Sequence, residues 1–345
     1  MKMMMNKRIW TMKNILTALI ALIMTVQPGF AQKLERAPNT AIDSMAAFRK
    51  TSPLRLDEKR LAFLHQFQRY SDRLEASTFK AYLAKPEDEA EQMEKEVPMI
   101  YCYREAFDKV LDEVKKTKLK KGTARVWLLY NMGFVVKTPS GCFGIDIEHR
   151  LAEQLEPYLD FLCITHNHGD HAHVKLMEAM TKAGKPVITN FYKGCVEYLS
   201  TTATSYQIGK FTVRTDISSH LRSPTLPDFV MSLRIDCGAD GGGFSLLHCG
   251  DSGFESDRFA NVQGDVDMLI LRWGAPREND IIGTGEGLVN PKYAVLSHLI
   301  ELRHEPKGQA SITQTLKHLA GVNCENTIMP FWGEQMVWKN GKLIR

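Results

Sequence analysis

Residues 164–173, ITHNHGDHAH, hold four of the chain's 11 histidines together with one aspartate. They follow the apolar run YLDFLC, which reads as a buried strand. His166 and His168 stand two apart at the end of that strand, so in extended backbone both imidazoles project to one side and can converge on a cation. Asp170 and His171 come after a turn through the small Gly169 and offer a carboxylate and an imidazole to a second cation. Imidazole and carboxylate without thiolate suit zinc, and manganese or iron tolerate the same donors. Without metals or other partners, this crowd of polar groups at a strand end would be costly to keep. His173 falls outside the spacing and reads as a helix start or a surface residue.

The chemistry on offer is hydrolytic. Two divalent cations about 3.5 to 4 Å apart share a hydroxide, lower its pKa towards neutrality and polarise the oxygen under attack. No serine or cysteine nucleophile is then needed, and the chain has no G-x-S-x-G elbow to provide one. GADGGGF is dense in glycine but lacks the lysine and hydroxyl residue of a phosphate-binding loop, so it reads as a hairpin turn.

The elements that must position these groups alternate. DFLCIT, PVITN, FTVRTDI, FVMSLRID, FSLLHC, VDMLIL, YAVLSH and TIMPFW read as strands, with helical stretches in HVKLMEAMTKAG and SITQTLKHLAG. ARVWLLYNMGFVVKT, the turn PSG and CFGIDI read as a hairpin ahead of them. Short strands with helices between them predict an α/β fold of two sheets covered by helices. Residues 32–122 are helical in pattern, with one apolar stripe at Phe63, Phe67, Tyr70 and Leu74 and another at Ile100, Tyr103, Phe107, Val110, Leu111 and Val114. The acidic AKPEDEAEQMEKEVP between them reads as an exposed connection. These helices either cap a site or pack against the body, and a domain boundary falls near Gly122.

The pattern H-x-H-x-D-H after a strand, matched in full by His166, His168, Asp170 and His171, resembles the metallo-β-lactamase superfamily. The likeness takes in the preceding hairpin and GIDI, where that family places an aspartate near the end of an early strand, here Asp146. It covers roughly residues 123–345, the hydrolase domain, and leaves 32–122 as an N-terminal helical extension. It implies a four-layered αββα sandwich and three further ligands. His220, in DISSH, would complete the site of His166 and His168. Asp251, in LLHCGDSGF, would bridge both metals, and His298, in YAVLSH, would join Asp170 and His171. A loop histidine or a turn aspartate is the plainer reading of each. His248, in LLHC, reads as a core or supporting residue. SHLIELRHEP puts Glu301 and His304 at helical steps of three from His298, so that one helix face would present all three. Asp170 and His304 are the candidate catalytic pair, His304 being either an acid beside the leaving group or a surface histidine next to Glu305. Arg272 and Trp273, in LRWGAP, follow a strand end and line the pocket or form its rim. The resemblance implies two divalent metal ions, zinc by preference, and cleavage of an ester-like bond in a small molecule. Lactones and phosphodiesters stand ahead of β-lactams. A metal- or partner-binding protein with lapsed catalysis is the alternative.

Charge and composition narrow the setting. Lys2, Lys7, Arg8 and Lys13 precede the apolar ILTALIALIMTV, and small Gly29 and Ala31 follow, so residues 1–31 read as an export signal and the mature chain as periplasmic or secreted. The run is too short to span a bilayer, which argues against stable membrane insertion. The formal charge of +4 falls to about zero once that segment is cut away, a poor balance for nucleic-acid binding. Seven scattered cysteines without a C-x-x-C pair predict no disulfide framework, and Cys163, Cys237 and Cys249 read as buried thiols in strands. Oligomeric state is not legible.

Overall fold

The computed structural model describes residues 40–273 and 275–345; the export segment expected over 1–31 lies outside them. Five helices come first: α1 (Thr40–Phe48), α2 (Glu58–Ser71), α3 (Ala76–Leu83), α4 (Glu87–Glu96) and α5 (Pro98–Lys116). Asp57 caps α2 by accepting from the Arg60 amide at 2.9 Å, and Pro98 opens α5, where its missing N–H costs nothing. The α5 stripe expected from sequence is buried from Met99 to Val114. The acidic stretch before it is not a bare connection. It forms α4, whose Glu87, Asp88 and Glu89 sit in the first turn, where they favour the helix dipole, and which buries Ala90 and Glu94.

The strands are β1 (Thr123–Tyr130), β2 (Gly133–Thr138), β3 (Gly141–Ile145), β4 (Phe161–Cys163), β5 (Val187–Ile188), β6 (Thr204–Ile208), β7 (Phe211–Ser218), β8 (Val230–Asp236), β9 (Ser245–His248), β10 (Gly264–Arg272), β11 (Val289–Ser297), β12 (Thr327–Ile328), β13 (Glu334–Lys339) and β14 (Lys342–Leu343). They form two seven-stranded sheets, in the orders β14-β13-β1-β2-β3-β4-β5 and β12-β11-β10-β9-β8-β7-β6. Helix α6 (Val174–Lys182) joins β4 to β5, and α7 (Ile312–Leu319) precedes β12.

Alternation along the strands sorts the cores. In β10, Met268 and Ile270 face the space between the sheets with Phe134, Phe143, Phe161 and Leu246, while Leu269 and Leu271 turn outwards to Phe254, Phe259 and Ile281. The outer face of the first sheet, through Trp127, Leu129 and Val135, is covered by α1, α2, α5 and α6. The result is an αββα sandwich of the metallo-β-lactamase type. The N-terminal helices share one apolar cluster with it: Phe67 stacks on Phe331 at 4.9 Å and Phe331 on Trp332 at 4.9 Å. Buried Arg60 ties α2 to Glu334 at 2.6 Å and to the Met329 carbonyl at 2.9 Å. Among the described residues no helix is long and apolar enough to cross a membrane.

Candidate metal centre

The sequence-expected donors arrive at one end of the sandwich on loops that follow β4, β7, β9 and β11. His166, His168, Asp170 and His171 lie after β4, His220 after β7, Asp251 after β9 and His298 after β11. Gly250 permits the last step to Asp251: it has φ +52°, and a Cβ there would sit 2.7 Å from the Thr165 side chain. His248, at the end of β9, binds the Met132 carbonyl through Nε2 at 3.0 Å and accepts from the Gly250 amide at 3.2 Å, so it is a buried support. His173 caps α6, accepting from the Leu176 amide at 3.3 Å.

Supporting groups set the orientation of the imidazoles. Asp146, at φ +47° just past β3, accepts from the Thr165 amide and hydroxyl, each at 2.7 Å, and from His171 Nδ1 at 2.8 Å. The hydroxyl spends its single hydrogen on Asp146 and therefore accepts from His166 Nδ1, 2.9 Å away. Both rings thus keep Nε2 for the centre. Phe229 packs beside His166, His168 and His220 at centroid distances of 5.6, 4.9 and 5.9 Å.

Seven residues converge in three overlapping sets whose donor atoms lie within 4.8 Å of one another: His166 with His168 and His220, His166 with His171 and Asp251, and Asp170 with His171 and His298. Asp251 touches both ends of the array, 3.8 Å from His171, 3.4 Å from His220 and 3.6 Å from His298. Asp170 lies 3.3 Å from both His171 and His298. His171 Nε2, His220 Nε2 and Asp251 Oδ1 are buried without hydrogen-bond partners. Buried donors and acceptors are rarely left so, and three facing one centre fit a bound cation. The charge states agree. Burial opposes ionisation of Asp170 and Asp251, yet the adjacent histidines hold both carboxyls well below the usual range. His171 is also penalised by burial, and its flanking aspartates raise its pKa well above the ordinary value, favouring a proton that ligation of a cation through Nε2 would displace.

One more structural residue was invisible beforehand. Asn131, at φ +52° in the β1–β2 turn, donates to the Asp170 carbonyl at 3.1 Å and its carboxylate at 3.2 Å, and its own carbonyl accepts from the His298 amide at 3.2 Å. Its type signalled a left-handed turn and nothing further.

A cavity of about 370 Å³ opens over these donors, walled by residues 298–310 and by Arg272 and Trp273. The helical face expected for His298, Glu301 and His304 does not form. Residues 298–305 are a loop, with His298 at φ +60° and Ile300 at φ +56°. Glu301 and His304 still meet, because the buried Glu301 carboxylate accepts from the Arg303 amide at 2.6 Å, the His304 amide at 3.0 Å and His304 Nδ1. Tyr130 donates to Glu301 at 3.1 Å and accepts from the Leu302 amide at 2.7 Å. The hydrogen bond to Glu301 raises the His304 pKa.

The N-terminal helices brace this loop. Ser71 of α2 donates to Gln309 at 2.8 Å, Gln309 donates to the His304 carbonyl at 2.9 Å, and Gln68 accepts from the Ile312 amide at 3.0 Å. Arg303 reaches back to Glu148 at 2.6 Å, where Tyr103 of α5 also approaches at 3.4 Å. Burial pushes the Glu148 carboxyl up to about 7 against the pull of Arg303.

Fold and site together give a two-sheet sandwich carrying a histidine–aspartate centre, the arrangement that the resemblance to the metallo-β-lactamase superfamily implies. No protein-family model and no curated protein matches the chain. Among solved structures it is similar to the metallo-β-lactamase fold protein YhfI of Bacillus subtilis, with 16% identity over 63% of this chain and 99% of that one, at a TM-score of 0.43. Igni18, a metallo hydrolase of Ignicoccus hospitalis, gives 15% identity over 63% and 99%, at 0.44. CmlA, a diiron β-hydroxylase of Streptomyces venezuelae, gives 12% over 65% and 55%, at 0.41.

Proposed function

We propose that the chain is an exported metal-dependent hydrolase of the metallo-β-lactamase superfamily that cleaves an ester-like bond, in a lactone or a phosphodiester, of a small molecule. The observation that supports it most is the convergence of seven imidazole and carboxylate side chains with three of their buried donor atoms unpaired. His166, His168 and His220 would hold one cation and Asp170, His171 and His298 the other, with Asp251 shared; the donor set suits zinc. When bound, the pair supplies Lewis acidity and a water of lowered pKa.

The chain's own residues do the rest. Asp146 and Thr165 fix the tautomers of His171 and His166, and Phe229 keeps water from one side of the imidazoles. Asn131 holds Asp170 in place. His304 is bound to Glu301 through Nδ1, which leaves Nε2 as its proton-bearing atom for the cavity. Its raised pKa keeps that proton until the scissile bond to oxygen breaks, and the departing oxygen takes it. The helices of residues 40–122 then act as the brace behind the cavity wall.

The test is turnover of phosphodiester, lactone and lactam reporters by the zinc-loaded protein, with and without chelator. Turnover of a lactone or phosphodiester that chelator abolishes is the expected result. Two bound zinc ions without turnover of any reporter would favour a lapsed metal-binding protein. Export predicts a mature chain beginning at Gln32, which N-terminal sequencing of the periplasmic or secreted fraction checks.

A further inference from the structure

The cavity has two ends of opposite character. On its floor are the candidate ligands. On its wall are two fixed cations, Arg272 at the end of β10 and Lys307 in the 298–310 loop. Neither enters an ion pair with a carboxylate among the described residues, whereas nine described arginines, among them Arg222, Arg258 and Arg303, do. The other polar wall residues are already committed: Glu301 to Tyr130 and His304, Gln309 to Ser71 and the His304 carbonyl, and Gln314 to the Ser311 cap of α7.

Arg272 is also held in a particular way. Its guanidinium carbon lies 5.0 Å from the centroid of the Trp273 ring, and its Nε is buried without an acceptor. Stacking an arginine on an indole occupies the flat face of the guanidinium and leaves its in-plane N–H groups free for two parallel bonds to an oxyanion. Glu278, a carboxyl on which the charge of Arg272 acts, is pushed up to about 7 by burial and forms no ion pair with it, so it is a weak counter-charge. An unpaired, oriented arginine and a lysine facing the same cavity form the complement of an anion.

We infer that Arg272 and Lys307 form a subsite for a second, non-reacting anionic group, a carboxylate or a phosphate monoester, on the substrate. This rests on the hydrolase reading for its location and adds a substrate class: an ester that carries a negative charge away from the bond being cut. Arginine supplies the bidentate contact, and the exposed lysine at the mouth adds a screened, long-range attraction.

The experiment uses the zinc-loaded mature chain and three phosphodiester reporters identical except for a distal carboxylate, phosphate monoester or carboxamide. A charged reporter should have a KM about tenfold below that of the carboxamide, the scale of one charge-assisted contact. Which of the two charged reporters is preferred tells carboxylate from phosphate. In R272Q the ratio between charged and neutral KM should collapse towards one, R272K should retain part of it, and K307Q should reduce it less and mainly at low salt. Calorimetric titration with glutarate gives a readout without turnover, with affinity expected to fall about tenfold in R272Q. Equal KM values for all three reporters in the wild type, or a ratio unmoved by R272Q, would overturn the subsite while leaving the hydrolase reading intact. Arg272-dependent glutarate binding without turnover of these reporters or of the lactone and lactam reporters would remove the hydrolase reading and leave the subsite standing. Circular dichroism checks the R272Q fold, and K307Q, at an exposed position, carries the test if that variant fails.

Discussion

His149 and His171 are both fully buried, and they could hardly be more different. His149 lies in the aromatic seam that joins the N-terminal helices to the sandwich, between Phe107 at 4.0 Å and Tyr103 at 4.2 Å. Burial, with the nearby charges of Arg104 and Arg150 adding to it, drives its pKa down, and the neutral ring behaves as one more flat group that accepts from the Leu151 amide. His171 sits between Asp146 and Asp170, with its second nitrogen facing the Asp170 and Asp251 carboxylates without a hydrogen bond to either. His149 Nε2 is also buried without a partner, but among the described residues no set of imidazoles and carboxylates converges on it. The crater is a set of charges and lone pairs that complete one another only around a cation. A buried histidine is therefore not a functional signal; a buried histidine oriented by a carboxylate towards other donors is.

If the two regions are separable in this way, changes should sort by region. The largest effect is expected from Asp251→Ala or His168→Ala. Each should lose turnover to the detection limit and lower metal content, measured by elemental analysis, while far-UV circular dichroism stays unchanged. Phe67→Ala, in the seam, should cost about 3 to 5 kcal/mol in denaturant unfolding with metal content per folded chain retained. A loss of metal in that variant would show that the regions are coupled through the α2 brace. His304→Gln should lower kcat by about a hundredfold without changing metal content. Asp146→Asn should weaken metal affinity by about 10- to 100-fold, less than loss of a ligand, in a competitive chelator titration.

The smallest effect concerns pH. The pKa of His149 is lowered from 6.5 in the folded chain, so below pH 6.5 the unfolded state binds the extra proton and the folded state does not. Its contribution to stability is present above that pH and is lost as pH falls. Unfolding free energy should therefore drop more steeply between pH 6.5 and 5 in the wild type than in His149→Leu. Equal slopes would mean that the seam does not exclude the charge.

How much of this was legible beforehand depends on distance along the chain. His166, His168, Asp170 and His171 share one short stretch, where extended-backbone geometry says what their side chains can do together. His220, Asp251 and His298 have no such rule. Only the family resemblance brought them into one site, and the topology of two sheets explains how they come close. Asn131, Thr165 and Phe229 carried no signal of their own, because their roles exist only once separate loops meet. The helix expected over 298–304 failed for the converse reason. Its periodicity was adequate, but Asn131 captures the His298 amide and Tyr130 and Glu301 tether the following residues, so tertiary bonds override the local preference. The acidic α4 reads as a connection in the sequence because its buried side consists of little more than Ala90 and Glu94.

The central claim is that side chains remote in sequence gather around two ions. Anomalous diffraction above the zinc absorption edge, from crystals of the protein grown with zinc, addresses it directly. Two peaks are predicted, one among His166, His168 and His220 and one among Asp170, His171 and His298, with Asp251 reaching both. Crystals with ample zinc in solution, no peak at this centre and His220, Asp251 and His298 turned away from the histidine-rich loop would contradict the account.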